Sequence, residues 1–186
     1  EEIARTKAGI FKTGADAVVY RGTPSVEAVF EQVCREKEIS LTKADFESLE
    51  LVYHGLQGQV FHCGNRKDLQ LPLLGDHQLH NAAVVLSVAD ALIRRGWKIT
   101  EENIRDGLRD TSWPGRFDVM RQDPLFIIDG GHNPQCIEAL VKNIEDYLAG
   151  RKLIVLTGVL ADKDYGDMFR PVMSYAQKFV CITPDN

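Results

Sequence analysis

The sequence lacks an apolar run approaching the roughly 20 residues that a membrane-spanning helix needs, and it has no signal peptide. Its four cysteines, Cys34, Cys63, Cys136 and Cys181, are widely spaced, and no two of them form a C-x-x-C pair. This spacing argues against a zinc site or a disulfide framework and favours reduced thiols. We therefore expect a cytoplasmic protein without a membrane partner.

Basic residues are not clustered on any segment, and the net charge of −5 gives no sign of a nucleic-acid-binding surface. The sequence has no initiator methionine, and its first residues already read as a helix, so we expect a piece of a longer protein. The hydrophobic fraction of 44% and the charged fraction of 26% are typical of a globular protein. The length allows one ordinary domain or two small ones.

Residues 110–115 (DTSWPG) break the pattern of predicted elements and mark a domain boundary, which gives regions 1–112 and 113–186. Before the boundary, the pattern predicts helices over 1–8, 24–38, 77–95 and from Thr100 onward, with short strands at 17–20, 51–53, 59–63 and 68–73. The long helix over 77–95 is apolar nearly all round, which predicts burial on most of its sides.

Beyond the boundary, strands alternate with helices. The pattern predicts a hairpin from 117–121 and 125–129, a helix opened by Asn133 and Pro134, a strand at 153–157, a helix at 165–176 and a strand at 179–183. This alternation predicts an α/β fold in which helices pack on a parallel sheet. The strand at 153–157 is continuously apolar, which predicts that both of its faces are covered.

Lys7 is the first residue with chemical potential, because it stands just before the glycine that ends the first helix. Spacing alone is typical of a solvated lysine in a last helical turn. Gly9 and Gly14 stand at the spacing of a phosphate-binding loop, but Ala15 and Asp16 follow where Lys and Ser or Thr are required. A phosphate-binding loop is therefore excluded here.

Polar residues also open the long predicted helix, whose first N–H groups attract anions. Gln78 and Asn81 share one face of it, and each can donate and accept hydrogen bonds, as recognition of a purine edge requires. Asp76, His77 and His80 fit either a metal site or a helix cap with locally bonded histidines.

Two segments near the predicted boundary offer further ligand contacts. Arg116, in residues 113–116 (WPGR), is either a surface arginine at a joint or a planar fork for a phosphate. Residues 127–134 (IIDGGHNP) predict a strand, a tight turn and a capped helix, a junction at which α/β sheets bind ligands. Asp129 and His132 either project into that crevice, or Asp129 only accepts N–H groups of the turn. The sequence has no G-x-S-x-G motif, which disfavours a Ser-His-Asp hydrolase.

Taken together, these segments resemble the folylpolyglutamate synthase and dihydrofolate synthase family, relatives of the Mur ligases. The matching segments, in chain order, are residues 4–12 (ARTKAGIFK), His77-Gln78 with Asn81-Ala82, residues 113–116, residues 129–133 (DGGHN), residues 162–164 (DKD) and residues 183–184 (TP). Their order and spacing agree along essentially the whole sequence.

The resemblance implies the end of a Mur-ligase-like central ATPase domain followed by a Rossmann-like C-terminal ligase domain, both incomplete. It implies an enzyme that uses ATP and Mg²⁺ to join L-glutamate to a folate or dihydropteroate through an acyl phosphate, in a complete protein that we expect to be monomeric. It further implies that Lys7 and His132 are catalytic, with Lys7 binding Mg²⁺ once carbamylated. The nucleotide contacts that it implies are Asn81, Arg116, Asp129 and His132.

The sequence departs from the family in mild and in larger ways. Thr6 stands where relatives usually have Glu, and Gly131 stands where many have Ala. We expect the phosphate-binding loop to lie upstream of Glu1 and the C-terminal domain to continue past Asn186, so these residues alone should not catalyse ligation. Two alternatives stay open: a Mur-type ligase acting on cell-wall precursors and a non-catalytic nucleotide- or substrate-binding module.

Overall fold

The computed structural model describes residues 1–158 and 165–183, and the chain divides into two compact units. Unit 1 consists of Glu1–Tyr53, Val60–Leu71 and Gln78–Asp110. Unit 2 consists of His54–Gln59, Pro72–His77 and the chain from Thr111 onward. Two short segments that interrupt unit 1 along the chain therefore pack with unit 2. The predicted domain regions, 1–112 and 113–186, stay a prediction about the complete protein.

Unit 1 is built mainly from the elements that precede residue 110. They are α1 (Glu2–Ala8), β1 (Asp16–Val19), α2 (Pro24–Glu36), β2 (Ser40–Lys43), β3 (Leu49–Gly55), β4 (Gly58–Cys63), β5 (Arg66–Leu71), α3 (Asp76–Arg94) and α4 (Glu101–Arg109). Strands β1 and β2 pair in parallel, whereas β3, β4 and β5 form a separate sheet in that order. The sequence pattern does not predict β2, because its four residues contain a single strongly apolar side chain, Leu41.

Two helices of unit 1 begin directly after a threonine in the N-cap position. Thr23 is extended and Pro24 follows at the first position of α2, although the Thr23 side chain makes no capping hydrogen bond. At α4, the N–H of Asn103 donates to the Thr100 hydroxyl and the N–H of Thr100 donates to the Asn103 side chain. This reciprocal capping box explains why a short helix with many charges begins here.

Helix α3 corrects the expectation of burial on most sides. Its buried residues are Gln78, Leu79, Ala82, Ala83, Leu86 and Ala91, most of which lie on one face. Away from the centre of this face, Val85 is 55% exposed and Val88 is 40% exposed. The described residues pack against one side of the helix, so an apolar sequence all round does not by itself produce burial all round. None of the described helices is long and apolar enough to pass through a bilayer.

Unit 2 contains the hairpin β6 (Asp118–Gln122) and β7 (Leu125–Ile128), then α5 (Pro134–Leu148), β8 (Leu153–Thr157), α6 (Tyr165–Met173) and β9 (Ala176–Cys181). The hairpin is antiparallel, whereas β8 and β9 are parallel neighbours joined through α6. The buried core that holds these elements together consists of Leu74, Phe117, Ile137, Ile144, Leu148, Met168 and Val172. The predicted α/β class is confirmed.

Two details of unit 2 differ from the sequence pattern. Helix α6 ends at Met173 and Ala176 already belongs to β9, because Pro171 removes a backbone donor and the chain turns at residues 174–175. In β8, Ile154 is 71% exposed and Leu156 is 64% exposed. The expectation that both faces of this strand are covered is therefore wrong for the described residues, which cover one face.

Gly75, which lies in unit 2 immediately before α3, is constrained in conformation and in space. Its φ of +106° is one that side chains rarely adopt, and a Cβ atom there would stand 2.4 Å from Oδ1 of the buried Asn143. Gly150, in the same unit, has a φ of +75°, and a Cβ atom added to it would meet no described heavy atom within 4 Å. Comparing an alanine substitution at each glycine therefore separates the free-energy cost of the left-handed backbone from the cost of steric crowding.

We expect Gly75→Ala to lower the free energy of unfolding by about 2–4 kcal/mol, because the backbone penalty and the overpacking add. Gly150→Ala, which carries the backbone penalty alone, should cost about 1 kcal/mol. Denaturant unfolding of both variants measures the difference. Equal losses would show that Gly75 is not crowded by Asn143.

Candidate functional site

Arg116 is carried by a tight turn at the start of unit 2. Gly115 has a φ of +76° and Phe117 a φ of +44°, so both residues beside Arg116 are in the left-handed region. The N–H of Gly115 donates to Oδ2 of Asp118 at 3.2 Å, and the side chain of Phe117 is buried in the core of unit 2. With both neighbours fixed in this way, the backbone at Arg116 has a defined direction.

Asp129 connects this turn to the next one. Its Oδ2 accepts the N–H of Phe117 at 2.9 Å, and its Oδ1 accepts the N–H of Gly131 at 2.7 Å. A backbone hydrogen bond of 2.8 Å from Gly130 to the carbonyl oxygen of Gly115 lies beside them. Hydrogen bonds to a carboxylate are stronger than those between neutral groups. The Asp129 carboxylate therefore holds the turn of Arg116 against the turn at residues 129–133.

Arg116 has a guanidinium group that is ready for an anion. Among the described residues, it makes neither a hydrogen bond nor an ion pair. Its Nη1 lies 3.7 Å from the position that a Cβ atom on Gly130 would take, so the absence of a side chain at Gly130 lets the guanidinium lie close to this turn. A partly buried arginine with five N–H donors and no partner is suited to a phosphate or carboxylate.

His132 follows in the same turn with one ring nitrogen already engaged. Its Nδ1 lies 2.9 Å from the carbonyl oxygen of Gly130. Because a carbonyl oxygen only accepts, Nδ1 donates in this contact, and Nε2 of this exposed side chain is the ring nitrogen left for a ligand. Asn133 then caps α5 by accepting the N–H of Cys136 at 2.9 Å, as predicted for this junction.

A cleft of about 270 Å³ in unit 2 is lined in part by Arg116. Its lining includes Trp113, Gln57, Ser112 and Leu74 beside Arg116 itself. Trp113 is 63% exposed, so a flat aromatic surface, an amide and a guanidinium meet at one opening. This combination suits a ligand that has a ring and an anionic group.

The remaining predicted nucleotide contact, Asn81, lies on α3 in unit 1. Its Nδ2 donates to Oε1 of the buried Gln78 at 3.0 Å, as expected for two amides on one helix face. Asn81 itself is exposed, and its carbonyl oxygen and second N–H remain available for a ligand.

Lys7 lies in the last turn of α1 and is exposed. Within the described part of the chain, its ammonium group forms no hydrogen bond or ion pair. Helix α1 precedes and strand β1 follows the glycines at 9 and 14, which is the reverse of the strand–loop–helix order of a phosphate-binding loop.

A metal site formed by Asp76, His77 and His80 finds no support. Among the described residues, no three His, Cys, Asp or Glu side chains stand close enough to hold a metal ion. The His80 ring instead packs edge-on against Phe46, with ring centroids 4.6 Å apart.

The structure thus brings Arg116, Asp129 and His132 together around Gly130, and it places Lys7 and Asn81 in the other unit. Residues 162–164 and Pro184 lie outside the described residues. Sequence reasoning missed Asp118, which fixes the turn of Arg116, because an aspartate at the start of a predicted strand carries no distinctive signal.

Comparisons with known proteins show what the chain is similar to. Residues 115–186 match the Mur ligase, glutamate ligase domain. The chain is 35% identical over 173 residues to a folylpolyglutamate synthase of Lacticaseibacillus casei, a match that covers 89% of this chain and 40% of that protein. The chain therefore spans less than half the length of this relative.

Among solved structures, folylpolyglutamate synthases are also similar to this chain. The fold resembles that of a folylpolyglutamate synthase of Thermotoga maritima with a TM-score of 0.86 and 29% identity, over 98% of this chain and 44% of that one. It also resembles an FPGS–AMPPCP–folate complex with a TM-score of 0.82 and 30% identity, over 97% of this chain and 46% of that one. AMPPCP is an analogue of ATP, so this relative binds a nucleotide of that class.

We expect Asp129→Asn to lower the free energy of unfolding by about 1–3 kcal/mol, because an amide offers one acceptor and leaves one backbone N–H unpaired. Hydrogen exchange at the amides of Phe117 and Gly131 should accelerate as well. Asp118→Asn is the matched control, since its single oxygen still accepts the N–H of Gly115. If both variants are equally stable, the carboxylate of Asp129 does not join the two turns.

Proposed function

Because this chain belongs to the folylpolyglutamate synthase and dihydrofolate synthase family, we propose that it is part of an ATP-dependent ligase that adds L-glutamate to a folate or to dihydropteroate. The observation that carries the proposal is the guanidinium of Arg116, which has no partner among the described residues and belongs to a turn that the carboxylate of Asp129 bonds to the turn of His132. These residues lie in the segment that matches a glutamate ligase domain.

The proposed reaction proceeds in two steps. The γ-phosphate of ATP passes to the carboxylate of the folate, which gives an acyl phosphate and ADP. The amine of glutamate then attacks the acyl carbon and the C–N bond forms. The C–O bond to the phosphate breaks, inorganic phosphate leaves with the bonding electron pair, and the amine loses a proton. Such chemistry depends on positioning and on positive groups around the phosphates.

Arg116 and His132 take distinct parts in this scheme. Arg116 binds phosphate oxygens of the nucleotide through its planar fork. The exposed Nε2 of His132, left as an acceptor by the contact of Nδ1 with Gly130, accepts a hydrogen bond from the incoming amine or from a nucleotide hydroxyl. Asp129 acts by holding both turns, and Asn81 offers its free amide groups to the edge of the purine ring.

We propose that Lys7 contributes a ligand to Mg²⁺. A carbamate on its exposed ammonium would turn a cation into an oxygen donor suited to this hard metal ion. One such group does not make a magnesium site, so the remaining ligands would come from ATP phosphates and from parts of the complete protein. We assign no step of the reaction to a metal held by this chain alone.

We further propose that the complete protein is a cytoplasmic monomer. In support of the location, all four cysteines are free, and Cys34 and Cys63 are buried as reduced thiols. Burial raises the pKa of both thiols, so they stay protonated and unreactive. Size-exclusion chromatography with light scattering measures the oligomeric state directly.

The complete protein should consume ATP when L-glutamate and a reduced folate or dihydropteroate are supplied, and the product should be longer by one glutamate. Mass spectrometry of the product checks this and separates the two folate activities. The 186 residues alone should be inactive, because their sequence contains no G-x-x-x-x-G-K-[ST] loop. Activity only with a cell-wall precursor, or no activity with any of these substrates, would refute the proposal.

In the complete protein, Arg116→Ala should lower kcat/KM for ATP by about 10- to 100-fold, the loss of a charge-assisted hydrogen bond to phosphate. The kcat/KM of Arg116→Lys should lie between those of the wild type and Arg116→Ala, because lysine keeps the positive charge but lacks the planar guanidinium. Arg121→Ala is the control, since this exposed arginine on β6 donates from Nε to the carbonyl oxygen of Pro124 and lies outside the cleft. Similar losses of kcat/KM in both alanine variants would show that Arg116 does not bind the nucleotide.

A further inference from the structure

A buried polar network lies at the start of α3, on residues that the proposed reaction does not use. The amide of Gln59, 3% exposed, donates to the carbonyl oxygens of Leu73 at 2.7 Å and Gly75 at 3.1 Å. Its Oε1 accepts the hydroxyl of Tyr147 at 3.0 Å. The same hydroxyl accepts the N–H of Gly75 at 3.0 Å. Gly75 is thus held through both its N–H and its C=O, and all four residues belong to unit 2.

The hydroxyl of Tyr147 joins the N–H of Gly75 to Oε1 of Gln59. Burial raises the pKa of the phenol, with a partial offset from the N–H of Gly75, so the hydroxyl keeps its proton at neutral pH. Removing it would leave two polar groups without partners in a buried place, which costs more than an exposed hydrogen bond does.

Tyr147, on α5, connects this network to the turn that carries Arg116. Helix α5 has 15 residues, about 22 Å of rigid helix, and it begins directly after the turn that carries His132. Tyr147 lies in its last turn, and its ring packs against Phe117, the neighbour of Arg116, with centroids 5.8 Å apart. The ring therefore supports the turn of Arg116, whereas the hydroxyl supports Gly75.

Gly75 in turn fixes the beginning of α3, the helix that carries Gln78 and Asn81. Its φ of +106° and the crowding by Asn143 make any side chain at this point costly. A helix start that is bonded on both backbone groups and closely packed cannot rotate or unwind without breaking the network.

We propose that Tyr147 is a positioning residue: its hydroxyl fixes Gly75 at the start of α3, and this start orders the opening turns of the helix, in which Asn81 is proposed to contact the nucleotide. This inference rests on the proposed function for its ligand, ATP, and on geometry for its mechanism. Tyr147 itself touches no substrate in this scheme. Its effect should therefore appear in the binding of ATP and not in a step of bond formation.

The test is Tyr147→Phe in the complete protein, with Tyr175→Phe as the matched control. The control also removes one hydroxyl from unit 2, but that hydroxyl bonds the exposed Glu145 and lies in the turn between α6 and β9. Hydrogen exchange followed by mass spectrometry reports on peptides over residues 72–82 and 113–121. Steady-state kinetics reports KM for ATP and kcat separately.

We expect Tyr147→Phe to accelerate exchange over 72–82 by about tenfold, the equivalent of one lost hydrogen bond, and to leave 113–121 unchanged because the ring remains. KM for ATP should rise about fivefold, kcat should change less than twofold, and Tyr175→Phe should alter none of these. Gln59→Leu should reproduce the effect, and the double variant should add little, since both remove one network.

Unchanged exchange over 72–82 would overturn the inference, and so would accelerated exchange with an unchanged KM for ATP, which would make the network merely structural. A fall in kcat equal to that for Arg116→Ala would also contradict a positioning role. If the wild-type protein shows no ATP-dependent ligation, the proposed function fails separately. In that case, an ATP dissociation constant that Tyr147→Phe leaves unchanged overturns the inference, and a weakened one supports it.

Discussion

One carboxylate, that of Asp129, determines the shape of the candidate site. It accepts an N–H from each of two turns that are separated along the chain, one at Phe117 and one at Gly131. Without it, the left-handed conformation at Phe117 would have to be held by burial of the side chain alone. A ligand-binding arginine is useful only if its direction is fixed before the ligand arrives, because ordering it afterwards costs binding free energy.

Side chains further inside unit 2 also support the turns of the candidate site. Phe117 is packed by Tyr147, and Tyr147 lies at the end of the helix that starts with the turn of His132. The turn that carries Arg116 is therefore supported from within unit 2 by the packed rings of Phe117 and Tyr147. Precise sites in proteins generally need such support, because a displacement of about 1 Å can lower a rate substantially.

The sequence predicted those features that depend on local chemistry. The capped starts of α4 and α5 and the hairpin of β6 and β7 all follow from residues that act within one or two turns. Burial was harder to predict, as Val85 on α3 and Ile154 on β8 show, because an apolar residue is covered only if another element lies over it. Strand β2 escaped prediction because its pairing with β1, not its composition, makes it a strand.

For the site, the sequence indicated Arg116, Asp129 and His132, and the resemblance to a family assigned them roles. It left open whether Asp129 faces a ligand or holds a turn, and the structure shows that it holds two turns. Nothing in the sequence pointed to Gln59 and Tyr147, since an inward glutamine on a strand and a tyrosine late in a helix look like ordinary surface residues. Contacts between residues 88 positions apart, such as theirs, have no local signature.

The most direct measurement of the role of Arg116 and Asp129 is a crystal structure of the complete protein with a non-hydrolysable ATP analogue. We expect the guanidinium of Arg116 to lie about 3 Å from phosphate oxygens, with the carboxylate of Asp129 still bonded to Phe117 and Gly131. A bound nucleotide whose phosphates are distant from Arg116, or an Asp129 that has left both N–H groups, would contradict this expectation.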